Sequence, residues 1–311
     1  MILRYQNLCQ NTQVFKAMTG LQVSEFDELV NDLLPGYAEA EEKRLSRADR
    51  KRAIGGGPDF ELTARDQILV SVVWLRTYPT YEVLGYLFGT SDTTAGRYIR
   101  RVLPLLEAAG RDTMRMPDPG RKQRRQLDEL LKETPELAVI IDTFEQAVQR
   151  PQKRAEADQY YSGKKKRHTL KSQLAVDEDS GQIVDVATST YGPTADLTLL
   201  KQSELLQRLP PGVGAIADLA YIGIEALHPD GLGATPRRKP RGQPRPVGDI
   251  AFNTAFSRRR IKVEHTIGRV RRYEALNQTD RHHRTRHTER VVAVAGLVNR
   301  QIRHRLPALV C

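Results

Sequence analysis

Two short apolar runs each stop at an aspartate: Leu137-Ala138-Val139-Ile140-Ile141 at Asp142, and Val213-Gly214-Ala215-Ile216-Ala217 at Asp218. Runs this short read as interior strands rather than helices. A chain with two such strands needs a sheet covered by other elements, and it carries a carboxylate to the end of each strand. A third acid, Glu264, lies inside a basic stretch with helical spacing, from Arg258-Arg259-Arg260 through Lys262 to Arg269, Arg271 and Arg272. Two acids at strand ends and one on a covering helix can meet although they are far apart in sequence.

The order of the remaining elements follows from periodicity and punctuation. Phe26, Leu29, Val30, Leu33 and Leu34 form a helical stripe in 24–52, with Pro35-Gly36 expected to interrupt it. Gly55-Gly56-Gly57-Pro58 is a break. Thr63 opens a helix containing Ile68, Leu69, Val72, Val73 and Leu75. A short helix, 80–88, then meets a second one, capped by Ser91 or Asp92 and running to Leu106, across the turn Gly89-Thr90-Ser91. This pair has helix-turn-helix proportions, with Thr93, Thr94, Arg97 and Arg100 on the groove-facing side. It reads equally as a plain helical hairpin or a protein-contact surface.

After a connector that includes Arg121-Lys122-Gln123-Arg124-Arg125, the period changes. Strands are expected at 137–142, 168–177, 183–189, 213–218 and 232–236, the second and third joined as a hairpin. Helices are expected at 196–208, 251–273 and 285–305. Strand, hairpin, helix, strand, then helices is the order of a ribonuclease H-like fold. The fold class is therefore α+β: an all-helical N-terminal part with a helix-turn-helix, then a mixed sheet flanked by helices. The expected boundaries are a helical segment at 1–58, the helix-turn-helix at 59–110, a basic connector at 111–136 and the catalytic part at 137–311, with a Pro/Arg-rich loop at 236–248.

Charge separates these parts. The chain carries +11 overall, yet residues 1–110 hold 13 basic against 14 acidic side chains, and residues 237–305 hold 19 against 5. Interleaved with apolar residues, these cations should decorate a folded surface that attracts phosphate backbones, although such runs also serve plain solubility. Arg258, Arg259, Lys262, Arg269, Arg271 and Arg272 are the candidate phosphate contacts there. Lys164-Lys165-Lys166-Arg167 either clamps DNA or guards a sheet edge. His282, His283 and His287 lack Cys or acidic neighbours, so an exposed or phosphate-contacting role is expected over metal ligation. Only Cys9 and Cys311 are present, no apolar run reaches membrane-spanning length, and the first twenty residues lack a signal-peptide layout. An intracellular protein without membrane contact is expected.

Hard carboxylate ligands suit Mg²⁺, with Mn²⁺ as substitute, and two ions can supply both an activated nucleophile and charge stabilisation at a phosphodiester. Asp142 would touch both ions, Asp218 one and Glu264 the other. Each acid taken singly also reads as a cap or an ion-pair partner, Glu264 with Arg260 or Arg271. Asp196 most simply caps the helix that it opens. No Gly-x-x-x-x-Gly-Lys loop is present, which argues against an ATP-driven enzyme.

Several segments together resemble bacterial insertion-sequence transposases of the IS-five group, relatives of the Harbinger transposases. They are Thr77-Tyr78-Pro79-Thr80-Tyr81-Glu82-Val83-Leu84-Gly85, Ile141-Asp142-Thr143-Phe144-Glu145-Gln146, the stretch from Tyr161-Ser162-Gly163 to Lys171, Asp218-Leu219-Ala220-Tyr221 and Val263-Glu264-His265. The similarity spans about residues 60–305. It implies a catalytic Asp142–Asp218–Glu264 triad and binding to double-stranded DNA at terminal inverted repeats. It also implies end cleavage, joining of 3′-hydroxyls to target DNA and action in the bacterial cytoplasm at the nucleoid. Thr143, Leu219-Ala220 and Ala195 depart from the family's usual Gly, Lys-Gly and His. A transposase-derived DNA-binding protein without nuclease activity is the alternative, and a nuclease that cuts without joining is a third. Two ends and one triad per chain point to a homodimer, assembled on DNA; Phe26, Leu29, Leu33, Trp74, Tyr78 and Phe88 either form its apolar face or fill a helical core.

Overall fold

A computed structural model describes residues 2–46, 60–120, 127 and 129–306. The Gly55–Pro58 break and the Arg121–Arg125 run lie outside the described residues. Six helices open the chain: α1 (Tyr5–Leu8), α2 (Thr12–Thr19), α3 (Val23–Leu45), α4 (Ala64–Thr77), α5 (Tyr81–Phe88) and α6 (Asp92–Asp112). The starts of α2, α4, α5 and α6 follow local chemistry: Asn11, Thr63, Thr80 and Ser91 each accept the backbone N–H three residues on.

One proline expectation fails. Pro35 does not end α3, and Pro104 lies inside α6, which continues to Asp112. Each removes one helical hydrogen bond, but packing on both sides holds the helix. Phe26, Leu29, Val30 and Leu33 before Pro35, and Tyr37 after it, are all buried. The Tyr37 hydroxyl donates to Gln67 at 2.7 Å, and Arg101 pairs with Glu41 at 2.9 Å.

The sheet forms next: β1 (Ala138–Ala147), then α7 (Arg154–Tyr160), β2 (Tyr161–Ser162), β3 (Arg167–Asp177), β4 (Ile183–Val186) and β5 (Thr190–Tyr191). Helices α8 (Asp196–Ser203) and α9 (Leu205–Arg208) follow, separated by Glu204 in the left-handed region, and then β6 (Gly214–Ile216), α10 (Ile224–Leu227) and β7 (Gly233–Ala234). The long α11 (Val247–Val270) and α12 (His287–Arg303) close the chain. Strand β3 lies antiparallel between β1 and β4, while β6 and β7 run parallel to β1. Three antiparallel strands extended by two parallel ones are the ribonuclease H-like arrangement. The hairpin β3–β4 and all five expected strands are present; α7, β2, β5 and α10 were not anticipated.

Alternation along β1 divides the cores. Leu137, Val139 and Ile141 pack with Leu200, Leu205, Leu206 and Ile224 from α8, α9 and α10. Ala138, Ile140 and Phe144 join a core shared with α11, α12 and the N-terminal helices. That core contains Phe26, Leu29, Leu33, Trp74, Tyr78 and Phe88, each at most 3% exposed. They fill the interior and supply no dimer face. Helix α12 is the centre of this core, and it crosses α6 so closely that a Cβ on Gly296 would come within 2.4 Å of the Gly110 Cα. Among the described residues no helix is long and apolar enough to cross a membrane.

Candidate active site

Asp142 is not at the end of its strand: β1 continues to Ala147 while β6 stops. The parallel register pairs Ile140 with Ile216. Two residues further on, Asp142 therefore comes beside Asp218 where β6 gives out, and further along the strand Asp280 bridges Val148 and donates its N–H to the Ala147 carbonyl at 2.8 Å. By strand parity Asp142 faces α11 together with Ile140 and Phe144. There Arg260 Nη2 lies 3.7 Å from its Oδ2, and the Thr143 N–H donates to its Oδ1 at 2.7 Å. Burial dominates and raises the Asp142 pKa to about 6; the Thr143 amide and Arg260 oppose the rise, while Asp218 and Asp196 add to it.

Asp218 is half-buried and accepts the Ala220 N–H at 2.9 Å, starting the 3₁₀ turn Leu219–Tyr221. Glu264 is exposed on α11 and lines the same crevice as Asp142. The ion pairs considered for Glu264 do not form: Arg260 turns to Asp142, and Arg271 donates to Asn277 at 3.2 Å. Among the described residues no three His, Cys, Asp or Glu side chains enclose a metal position. The donors are nonetheless all hard oxygens, and a half-buried carboxylate with a raised pKa is one that a cation would stabilise. Mg²⁺ keeps several waters and accepts substrate oxygens, so it does not need a closed protein cage. The donor chemistry fits a divalent ion of that type.

Two further residues belong to this crevice. Lys171 Nζ meets Asp196 Oδ1 at 2.6 Å, and both side chains line it. Asp196 is not the cap that it resembled. The N-cap of α8 is Ala195, which makes no side-chain capping bond, and Asp196 turns to Lys171 instead. Neither periodicity nor motif spacing signals a pair that joins β3 to α8. Tyr221 is buried behind the acids and donates to Gln173 at 3.3 Å; burial first, then the charges of Asp196, Asp142 and Asp218, raises its pKa.

The candidate DNA contacts separate by exposure. Thr93, Arg97 and Arg100 are exposed on α6 and Thr94 is half-buried beside Ser91. Lys164, Lys165, Lys166 and Arg167 are exposed in the β2–β3 turn, with Lys164 and Lys165 on the rim of the crevice. Arg258, Arg271 and Arg272 are exposed and Arg269 is half-buried.

Arg259 is a correction. It falls on the buried stripe of α11 with Phe252, Phe256 and Val263. Its guanidinium binds Glu178 at 2.6 and 2.7 Å, Thr134 Oγ1 at 2.6 Å and the Pro135 carbonyl at 2.7 Å, so it holds the fold and presents nothing to a phosphate. Lys262 is half-buried and donates to the Asp179 carbonyl. Arg290 with Asp280 is likewise internal to the fold, and the buried Arg300 is taken up by Asp32 at the surface.

Two histidine expectations also change. His282 is packed against Trp74, Tyr78 and Tyr81, and burial lowers its pKa to about 4. His287 is fully buried, 2.8 Å from both Ser189 Oγ and Gln146 Oε1, and burial lowers its pKa to about 3. Of these three histidines, His283 is the exposed one.

Comparison with known proteins agrees with this arrangement. Residues 141–299 match the family described as DDE superfamily endonuclease. Residues 60–112 match the helix-turn-helix of DDE superfamily endonuclease, covering α4, α5 and α6. The chain is 28% identical over 289 residues to a probable transposase for insertion sequence element IS702 from Microchaete diplosiphon, covering 93% of this chain and 94% of that one.

Proposed function

The chain belongs to the DDE superfamily of endonucleases, and from that premise we propose that it is a bacterial transposase of the IS-five group. It binds the terminal inverted repeats of its own element, cuts the DNA ends and joins the freed 3′-hydroxyls to target DNA. The observation that carries this reading is one crevice holding Asp142 and Glu264, with Asp218 at the end of the adjacent strand and Lys164 and Lys165 on the rim. The helix-turn-helix in the same chain supplies recognition.

In this reading Asp142, Asp218 and Glu264 would hold Mg²⁺, or Mn²⁺ in its place, as two ions. Held by these carboxylates, such ions would supply charge stabilisation and a lowered pKa for the attacking hydroxyl. Arg260 keeps Asp142 ionised and oriented until substrate arrives. Thr93, Thr94, Arg97 and Arg100 enter a groove, and Lys164 to Arg167, Arg258, Arg269, Arg271 and Arg272 hold phosphates. The protein acts in the cytoplasm, at the nucleoid.

Incubating the purified protein with the DNA that flanks its gene, in Mg²⁺ or Mn²⁺, tests this reading when both nicks and joined products are scored. Wild type should give both and Asp142→Asn neither, while DNA binding persists. Cutting by Asp142→Asn would refute the triad assignment. A DNA-binding protein derived from a transposase and lacking nuclease activity is the second reading, favoured by Thr143, Leu219-Ala220 and Ala195 next to the site. It predicts binding without nicks, and no paired inverted repeats around the gene.

A further inference from the structure

The Lys171–Asp196 pair is nearly buried, its side chains 10% and 12% exposed, and the carboxylate chemistry above does not use it. Lys171 stands on β3 opposite Glu145 of β1, and Asp196 is the first residue of α8. The ammonium also donates to the Thr194 carbonyl at 2.5 Å. Two of its three N–H groups are therefore occupied, leaving one for the crevice that Lys171 lines beside Asp142 and Glu264. If α8 only had to be fastened to β3, an apolar pair would do so without the cost of removing two charges from water. Lys164, Lys165 and Arg271 approach the crevice from exposed positions. Lys171 is the cation there that two fixed acceptors hold in place.

Building on the endonuclease reading, we infer that Lys171 is a substrate-contacting residue and Asp196 its positioning residue. The free N–H of Lys171 donates to a non-bridging oxygen of the phosphodiester being cut, and Asp196 with the Thr194 carbonyl fixes the ammonium for that contact. A donor already placed where charge develops needs no reorganisation during phosphoryl transfer, and this is where it has most effect.

The test uses the full chain and two duplexes of its flanking DNA. One is natural; the other carries an uncharged methylphosphonate at the position that wild type cuts. Lys171→Met should slow single-turnover cutting roughly 100-fold, with affinity for the natural duplex in EDTA changed less than about threefold. The methylphosphonate should slow wild type by a clearly larger factor than Lys171→Met, because the variant has already lost the lysine contact and only the loss at the metal ions remains. Lys171→Arg should recover part of the rate. Asp196→Asn, which keeps the size of the side chain, should slow cutting and reduce the sensitivity to methylphosphonate. If Lys171→Met fails to fold, Lys171→Arg and Asp196→Asn carry the same comparison. Equal slowing of wild type and variants by the methylphosphonate overturns the inference, as does a Lys171→Met rate within about threefold of wild type. A wild-type protein that cuts neither duplex overturns the endonuclease reading itself, and that failure shows before any variant is compared.

Discussion

Asp142 is held in its ionised form at a cost to the fold. Its pKa of about 6 stands above the roughly 4 of an unfolded aspartate. Below pH ~4 the group is protonated in both states and contributes nothing to stability. As the pH rises from ~4 to ~6, the unfolded chain releases its proton first and stability falls; above ~6 the full penalty persists. Asp142→Asn in metal-free buffer should therefore melt at a higher temperature than wild type at pH 7.5, with the gap closing as the pH falls below ~4. Equal melting temperatures at pH 7.5 would mean that Arg260 and the Thr143 amide compensate the burial completely. Neighbouring arginines on α11 make an opposite pair of predictions. Arg259→Ala removes the guanidinium that binds the buried Glu178 carboxylate and should cost about 3–5 kcal/mol in chemical denaturation. Arg258→Ala should leave stability within about 0.5 kcal/mol of wild type and weaken DNA binding at low salt. If both variants are equally stable, the burial argument fails.

At the scale of elements, the α6–α12 crossing joins the helix-turn-helix to the catalytic sheet. A Cβ on Gly110 would lie 2.5 Å from the Val292 carbonyl oxygen, and one on Gly296 would meet the Gly110 backbone. Gly296→Ala has nowhere to put its methyl and should destabilise by about 1–3 kcal/mol through overpacking. A denaturation midpoint equal to wild type would show that the two helices separate without penalty. This crossing also marks what a sequence discloses. Thr63, Thr80 and Ser91 were readable as helix starts because a cap acts within its own turn. The apolar runs ending at Asp142 and Asp218 were readable because a buried strand leaves a continuous hydrophobic signature. Pro35 misled because the local rule against proline was outweighed by burial contributed from elsewhere. Arg259 misled because helix α11 buries a cation on its apolar stripe, and the Glu178 that makes this possible is 81 residues away. Lys171 and Asp196 escaped for the same reason: their partnership exists only once α8 is laid against β3.

For the molecule as a whole, charge and shared burial set how DNA is held and how copies assemble. The basic excess in 237–305 is smaller at the surface than in sequence, since Arg259, Arg290 and Arg300 are occupied inside. Removing residues 1–110 would strip α12 of the face packed on α6, so the truncated chain should be insoluble and cannot report on DNA preference. The apolar residues that suggested a dimer face are interior, and a net charge of +11 repels a second copy. Both facts argue for a free protein that is monomeric. On the proposed reading, however, an element has two ends, and one set of Asp142, Asp218 and Glu264 would not join both to one target in fixed relation. Phosphates supplied by the two ends neutralise the repulsion, and a two-fold pair is the simplest closed assembly. Light scattering should therefore give a single chain without DNA and two chains on paired end sequences, with pairing weakened as salt rises. A stable dimer without DNA would show that an unrecognised surface drives assembly. A one-protein complex on paired ends would show that a single chain handles both, and would end the case for two-fold action.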